Sequence, residues 1–267
     1  IAGDMDGYAN ALEKACSLYD IPVVMDHKKS ILLNAFVEYL RSLLEMAEQN
    51  FTYESVFRHL RTGLCGFDCD EVDRLENYCL ALGIKGYRKW QQAWVRRTGN
   101  TDEEELAELN HLRVICVDKT DGFMGILKQR KKTVRDVTMG VYEYVVQEKL
   151  QEKLKIMELD FQEQGELALA KEYAQVYRIV MDLFDKFVEL LGGETISLEE
   201  YGELLDAGLE EAKVGVIPPG IDEVMAGDME RTRLTDIKAL VFLGAKDSFL
   251  PGQLGAGGLL SEADREE

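Results

Sequence analysis

Between Phe51 and Val214 strand signals all but vanish, while short apolar, β-branched runs stand on either side of that stretch. Helix, short strand and helix at the spacing seen over the first fifty residues belong to an α/β layer. The whole layout fits one α/β layer split by a large helical insertion, with residues near the two ends sharing a parallel sheet. On this reading residues 1–50 open the α/β domain, 51–214 form the helical insertion and 215–267 return to the layer. No fixed-period internal repeat is present.

The local signals are specific enough to test. Tyr8, Ala11, Leu12, Ala15 and Leu18 recur at helical spacing across Asp6–Tyr19. Ile21–Met25 is short, apolar and β-branched, as a buried strand is. Ser30 is placed to cap a helix whose apolar face runs through Leu33, Phe36, Val37, Leu40, Leu43 and Leu44. Helices are expected over Phe51–Gly63 and Asp70–Leu82. Another opens at the capping box Thr101/Glu104 and runs through Leu106, Leu109, Leu112 and Val114. A long pair is expected over Thr133–Asp160 and Gly165–Leu191, ended by Gly192-Gly193, with a second box, Ser197/Glu200, opening Leu198–Ala212. Beyond Pro218-Pro219, Glu223–Asp228 reads as a strand. Ile237–Gly244 is the strongest strand signal, continuous enough in apolar character to be covered on both faces. Gly252–Gly258 reads as a loop and Ser261 as the cap of a last helix. That helix stops within seven residues and the chain opens on Ile1, as expected of a piece of something longer.

Charge narrows the function. Fifty acidic residues against 31 Lys and Arg leave a net charge of -19, which excludes a general nucleic-acid coat but not a local basic stripe. Five cysteines, an odd number, fit free thiols in a reducing compartment, and no apolar run approaches the ~20 residues of a membrane span, so a cytoplasmic protein without a membrane partner is expected. No GxxxxGK[ST] or GxGxxG is present. Cys65, Cys69, Cys79 and His59 lack the second tight pair a zinc site needs, and three histidines without motifs offer no nucleophilic triad. No strand-borne Asp/Glu/Lys set suits a metal-dependent nuclease. Asp102–Glu105 reads as the acidic first turn of a helix. No catalytic residue, metal or cofactor is therefore assigned to this chain.

Two basic patches stand out. Lys85, Arg88, Lys89, Arg96 and Arg97 are interleaved with Tyr87, Trp90 and Trp94, whose four-residue tryptophan spacing favours core packing over base stacking. Lys128, Arg130, Lys131 and Lys132, with Arg135, form the second patch and are the stronger candidates for phosphate contact, against the alternative of a solvated face paired with nearby acids.

Both ends carry a resemblance. Asp4-Met5-Asp6-Gly7-Tyr8-Ala9 and Tyr19-Asp20-Ile21-Pro22-Val23-Val24-Met25-Asp26 resemble the helicase-like core of the AddB/RexB component of bacterial ATP-dependent helicase/nucleases. So do Gly227-Asp228-Met229-Glu230-Arg231-Thr232-Arg233, the run Ala239–Pro251, and Gly258-Leu259-Leu260-Ser261-Glu262-Ala263-Asp264-Arg265-Glu266. The resemblance covers about a third of the chain. It implies a superfamily 1-like second motor domain (2A-type) with a helical 2B-type insertion. It further implies a parent that works as a heterodimer with an AddA-type subunit on double-stranded DNA ends in recombinational repair. That parent would use ATP, Mg2+ and a 4Fe-4S cluster held outside this stretch. Two departures stand out: Gly3 precedes Asp4 where the family often has Arg, and Ser248 follows Asp247 where it has Gly. Loss of that cation fits a degenerate motor that holds DNA. Arg231 and Arg233, at i, i+2 spacing, are expected to touch DNA backbone or the partner, or else Arg231 braces a loop through Asp228 or Glu230. The expected role is a DNA-path and subunit-contact scaffold. The rivals are an acidic helical adaptor for proteins only and a stand-alone nuclease or ATPase.

Overall fold

The structure is a computed structural model, and it describes residues 2, 5–26, 29–99, 101–127, 131–214, 224–227, 229 and 237–245. The chain divides into two compact units, one of Ile1–Lys29 with Gly215–Glu267 and one of Ser30–Val214.

In the first unit the two ends of the chain meet. Helix α1 (Met5–Leu18) precedes the strand Val23–Asp26, which pairs in parallel with Val224–Gly227, Val23 opposite Val224 and Asp26 opposite Gly227. Ala2 extends the pairing: its N–H donates to the Gly227 carbonyl at 3.0 Å, its carbonyl accepts from Met229 N–H at 3.2 Å, and it bridges Leu243 in parallel. Parallel strands cannot be joined by a tight turn and need a long crossover, which the intervening chain supplies. Gly244 comes so close to α1 that a Cβ there would lie 2.6 Å from the Tyr8 hydroxyl, and its φ of +70° is one a side chain rarely adopts. Ala2, Met5 and Ala226 are buried, with Tyr8, Leu12, Val23 and Leu243 packed against them.

The expected strand Ile237–Gly244 is not formed as such. Among its described residues only Leu243 bridges, and Ile237, Leu240 and Val241 are exposed. Apolar continuity signals burial on both faces only when layers stand on both sides. Among the described residues of this unit α1 is the one helix, and none of them supplies a second layer over the run. The described residues are therefore mostly helical, and where a parallel-sheet domain is expected they show a short parallel pair, with a second short pairing between Lys29–Ser30 and Lys213–Val214.

The second unit holds nine helices among the described residues: α2 (Ala35–Glu48), α3 (Tyr53–Leu60), α4 (Cys69–Leu82), α5 (Tyr87–Gln91), α6 (Glu103–Leu127), α7 (Val134–Gln147), α8 (Leu150–Glu163), α9 (Leu167–Leu191) and α10 (Leu198–Glu211). Helix α2 packs on α3 and α10 and belongs here, whereas the sequence reading groups it with the first flank. Its cap is Asn34, whose side chain accepts from Phe36 N–H, not Ser30. Starting at Ala35 turns Leu33 fully out to solvent, while Phe36, Val37, Leu40, Leu43 and Leu44 are buried as their spacing demands. Asp68/Glu71, Thr133/Asp136 and Ser197/Glu200 close capping boxes on α4, α7 and α10. The α6 cap falls one residue later than Thr101: Asp102 accepts from Glu105 N–H at 2.9 Å. The core runs continuously from Ile31 to Val214. Each fully buried Leu, Ile or Phe in it contributes about 1.5–3 kcal/mol.

Candidate nucleic-acid interface

No Asp or Glu lies between Glu76 and Asp102, in a chain where nearly one residue in five is acidic. That gap holds the first basic patch, and the fold turns it into a rigid, outward-facing segment. Trp90 and Trp94 are buried, packed edge-on with ring centroids 5.2 Å apart, and Trp94 stacks on Tyr78 at 5.1 Å. The Trp94 indole N–H donates to the Lys89 carbonyl at 3.1 Å, tying short helix α5 to the extended residues after it. From α6, Asn110 holds Trp94 from both sides, accepting from its N–H at 2.9 Å and donating to its carbonyl at 2.8 Å. Arg113 donates to the Trp90 carbonyl at 2.6 Å, and burial lowers its guanidinium from its ordinary value. The Tyr78 hydroxyl donates to the Arg96 carbonyl at 2.6 Å.

With the aromatics turned inward, the cations face out. Lys85, Arg88, Lys89, Arg96 and Arg97 are all exposed. Arg97 pairs with Glu103 at 3.4 Å, an exposed contact of small value, and Lys89 reaches the carbonyl of the α4 cap Gly83 at 3.4 Å. Among the described residues, Lys85, Arg88 and Arg96 have no carboxylate partner.

The second patch is only partly described. Lys128 and Arg130 lie outside the described residues, as do Arg231, Arg233, Gly3, Asp247 and Ser248. Lys131 is exposed on the turn before α7. Lys132 is half-buried and points its ammonium at the Leu127 carbonyl, 3.5 Å away, while its own carbonyl accepts from Ile196 N–H at 3.0 Å. Thus Lys131 is exposed, and Lys132 is partly committed to its own loop.

The interior holds polar groups that no short motif announces. His59 is buried, with Nδ1 3.0 Å from the Ser42 hydroxyl and Nε2 3.3 Å from the Tyr144 hydroxyl. Desolvation pushes its pKa down to about 3, so it is neutral at pH 7 and enclosed away from any substrate. Cys65 and Cys79 are buried thiols pushed up to about 12 by desolvation, which keeps them protonated and unreactive. Glu148, buried, binds Lys119 at 2.7 Å and Lys153 at 3.4 Å, and those ammonium groups also donate to the carbonyls of Cys65 and Leu64. Apart from the neighbours Glu148 and Lys153, these partners are 29 to 89 positions apart, beyond the reach of any local pattern. Among the described residues no group of three or more His, Cys, Asp or Glu could hold a metal ion. No described helix is long and apolar enough to cross a membrane.

The helical unit thus presents a braced surface of exposed cations, and similarity to known proteins gives its family. No family model matches the chain. It is, however, 41% identical over its whole length to the B subunit of the ATP-dependent helicase/deoxyribonuclease of Lachnoclostridium phytofermentans. It is 37% identical over 99% of its length to the protein of that name in Acetivibrio thermocellus, and 36% over 98% to that in Desulforamulus reducens. The chain belongs to the family of helicase/deoxyribonuclease B subunits. It spans about a quarter of the length of these B subunits, 24% in each case. The alignment takes in the helical middle as well as the two flanks that carry the sequence resemblance.

Proposed function

We propose that this chain serves a helicase/deoxyribonuclease B subunit as a scaffold for the DNA path and for contact with the partner. The parent process is the handling of double-stranded DNA ends for recombinational repair. The observation that carries this reading is identity of 34–41% running through nearly the entire chain to proteins named as B subunits of ATP-dependent helicase/deoxyribonucleases. The parallel pairing of Val23–Asp26 with Val224–Gly227 supports a helicase-like 2A-type α/β domain interrupted by a 2B-type helical insertion. The partner is an AddA-type subunit, forming a cytoplasmic heterodimer. ATP, Mg2+ and a 4Fe-4S cluster serve the parent through residues outside this chain. Lys131 and Lys132, with Lys128, Arg130, Arg231 and Arg233, are proposed contacts to DNA or to that partner.

The test uses the purified chain in three assays. It is expected to bind a blunt DNA duplex at low salt, to capture an AddA-type subunit, and to neither hydrolyse ATP nor cut DNA. ATPase or nuclease activity would overturn the scaffold reading. Capture of the AddA-type protein without any DNA binding would favour the protein-only adaptor instead.

A further inference from the structure

We propose that the segment 85–97 is a duplex-DNA rail: Lys85, Arg88, Lys89 and Arg96 grip the phosphate backbone of double-stranded DNA without reading or stacking on bases. The proposal rests on the DNA-handling role just given and adds to it a surface and a mode of binding. Three observations favour it.

The first is charge. A chain with 50 acidic residues in 267 would carry about five in the 25 positions from 77 to 101, and it carries none there, while five cations fall within 85–97. Exposed lysines scattered over an acidic protein are usually neutralised by neighbours. Here Lys85, Arg88 and Arg96 have no carboxylate partner among the described residues. Cations without a bound carboxylate meet the electrostatic requirement for phosphate binding with counterion release, and three of the five here do so among the described residues, Arg97 being paired with Glu103. Arg88 and Arg96 add forked donors that match phosphate oxygens.

The second is rigidity. The backbone carrying these cations is held by hydrogen bonds from Tyr78, Trp94, Asn110 and Arg113, most of them buried or half-buried. Pre-ordered backbone lowers the entropy lost when the side chains engage a ligand.

The third separates duplex from single strand. Non-specific single-strand sites stack bases on exposed aromatic rings. The rings nearest these cations, Tyr87, Trp90 and Trp94, are all buried, and the Tyr87 hydroxyl donates to Asp121 at 2.7 Å. A basic surface with its rings turned inward offers charge and no stacking, which suits the regularly spaced phosphates of a duplex.

The experiment measures the affinity of the 267-residue chain for a 20-base-pair blunt duplex and for a 20-nucleotide thymidine strand across a salt series. The comparison is between the wild type and Lys85→Gln/Arg88→Gln/Lys89→Gln/Arg96→Gln. These four side chains are exposed, so circular dichroism and the unfolding midpoint are expected to stay the same. Each lost phosphate contact lowers the slope of log K against log salt by about 0.9, so the slope for duplex is expected to fall by about 3 to 4. The thymidine strand is expected to bind more weakly than the duplex. If the wild type binds duplex and the variant keeps its slope, the rail is overturned while the DNA-handling role stands. Preferential loss of thymidine-strand binding would overturn the duplex assignment. Loss of capture of an AddA-type subunit with an unchanged duplex slope would make the patch a protein contact and overturn the proposal. A wild-type chain that binds no DNA refutes the broader reading together with the rail.

Discussion

The helical unit and the α/β unit solve the same problem to different degrees. Helices α2 to α10 cover each other's apolar faces, so one core runs through Phe36, Leu40, Leu75, Val141, Val180 and Leu205, each fully buried. Among the described residues of the flanking unit the buried cluster is Ala2, Met5 and Ala226, while Leu18, Tyr19, Val224, Leu240 and Val241 are each half or more exposed. Helices bury a stripe by meeting any neighbour, and nine of them provide many neighbours. A strand in a parallel sheet has two faces and is normally covered on both. A short parallel pair with one helix meets half of that requirement.

This contrast can be broken or sharpened by experiment, and the largest effect belongs to the helical core. Leu40→Ala removes a fully buried side chain and is expected to cost about 3 to 4 kcal/mol, read from urea unfolding. A loss below about 1 kcal/mol would mean that the core relaxes around the gap and is not tightly interlocked. In the flanking unit, Gly244→Val places a branched side chain against Tyr8 at a left-handed φ and is expected to cost about 3 kcal/mol locally. Hydrogen exchange should then speed up at Val224 N–H, which donates to the Pro22 carbonyl at 2.8 Å, while amides in α7 keep their protection. Equal loss in α7 would show that the units open together.

The pH dependence is next in size. Neutral His59 has a folded pKa of about 3 against an ordinary 6.5. The unfolded chain therefore binds more protons between those values, and stability falls as pH drops from about 6.5 toward 3. Subtracting the profile of His59→Gln removes the carboxylate background. The remaining slope should approach about 1.4 kcal/mol per pH unit near pH 5. Parallel profiles for the two proteins would mean that His59 reaches solvent. The smallest effect is Ser197→Ala, which deletes the Ser197 hydroxyl that accepts from Glu200 N–H at 3.1 Å and is expected to cost about 1 kcal/mol.

Much of the helical unit was legible because helices announce themselves locally. Ser197/Glu200 capped where its residue types said it would, and Trp90 and Trp94 were buried as their spacing implied. Less was legible wherever a neighbour distant in sequence intervened. Thr133–Asp160 reads as one unbroken helix, with no Gly or Pro after Gly140, yet it breaks at Lys149, whose φ is +52°. The break falls beside Glu148, drawn inward by Lys119 and Lys153, and Lys153 in turn binds the Leu64 carbonyl at 2.6 Å. Those partners offset the strain of a left-handed lysine, and no window of sequence contains them all. Helix α6 likewise continues to Leu127 through Gly122 and Gly125, well past the Val114 at which its legible face ends.

By itself, then, the sequence determined that the middle of the chain is helical, the capping box of α10, which face helices such as α2 bury, and the basic gap in an acidic chain, because these depend on residues within a turn or two of each other. Tertiary structure alone decided that Val23 stands in register with Val224, that Ile237, Leu240 and Val241 are exposed, and that the cations of 85–97 face outward over buried rings. The reason is one of range. Capping and periodicity act over about four residues, whereas strand pairing joins positions as far apart as Ala2 and Leu243, where only the folded chain brings the groups together.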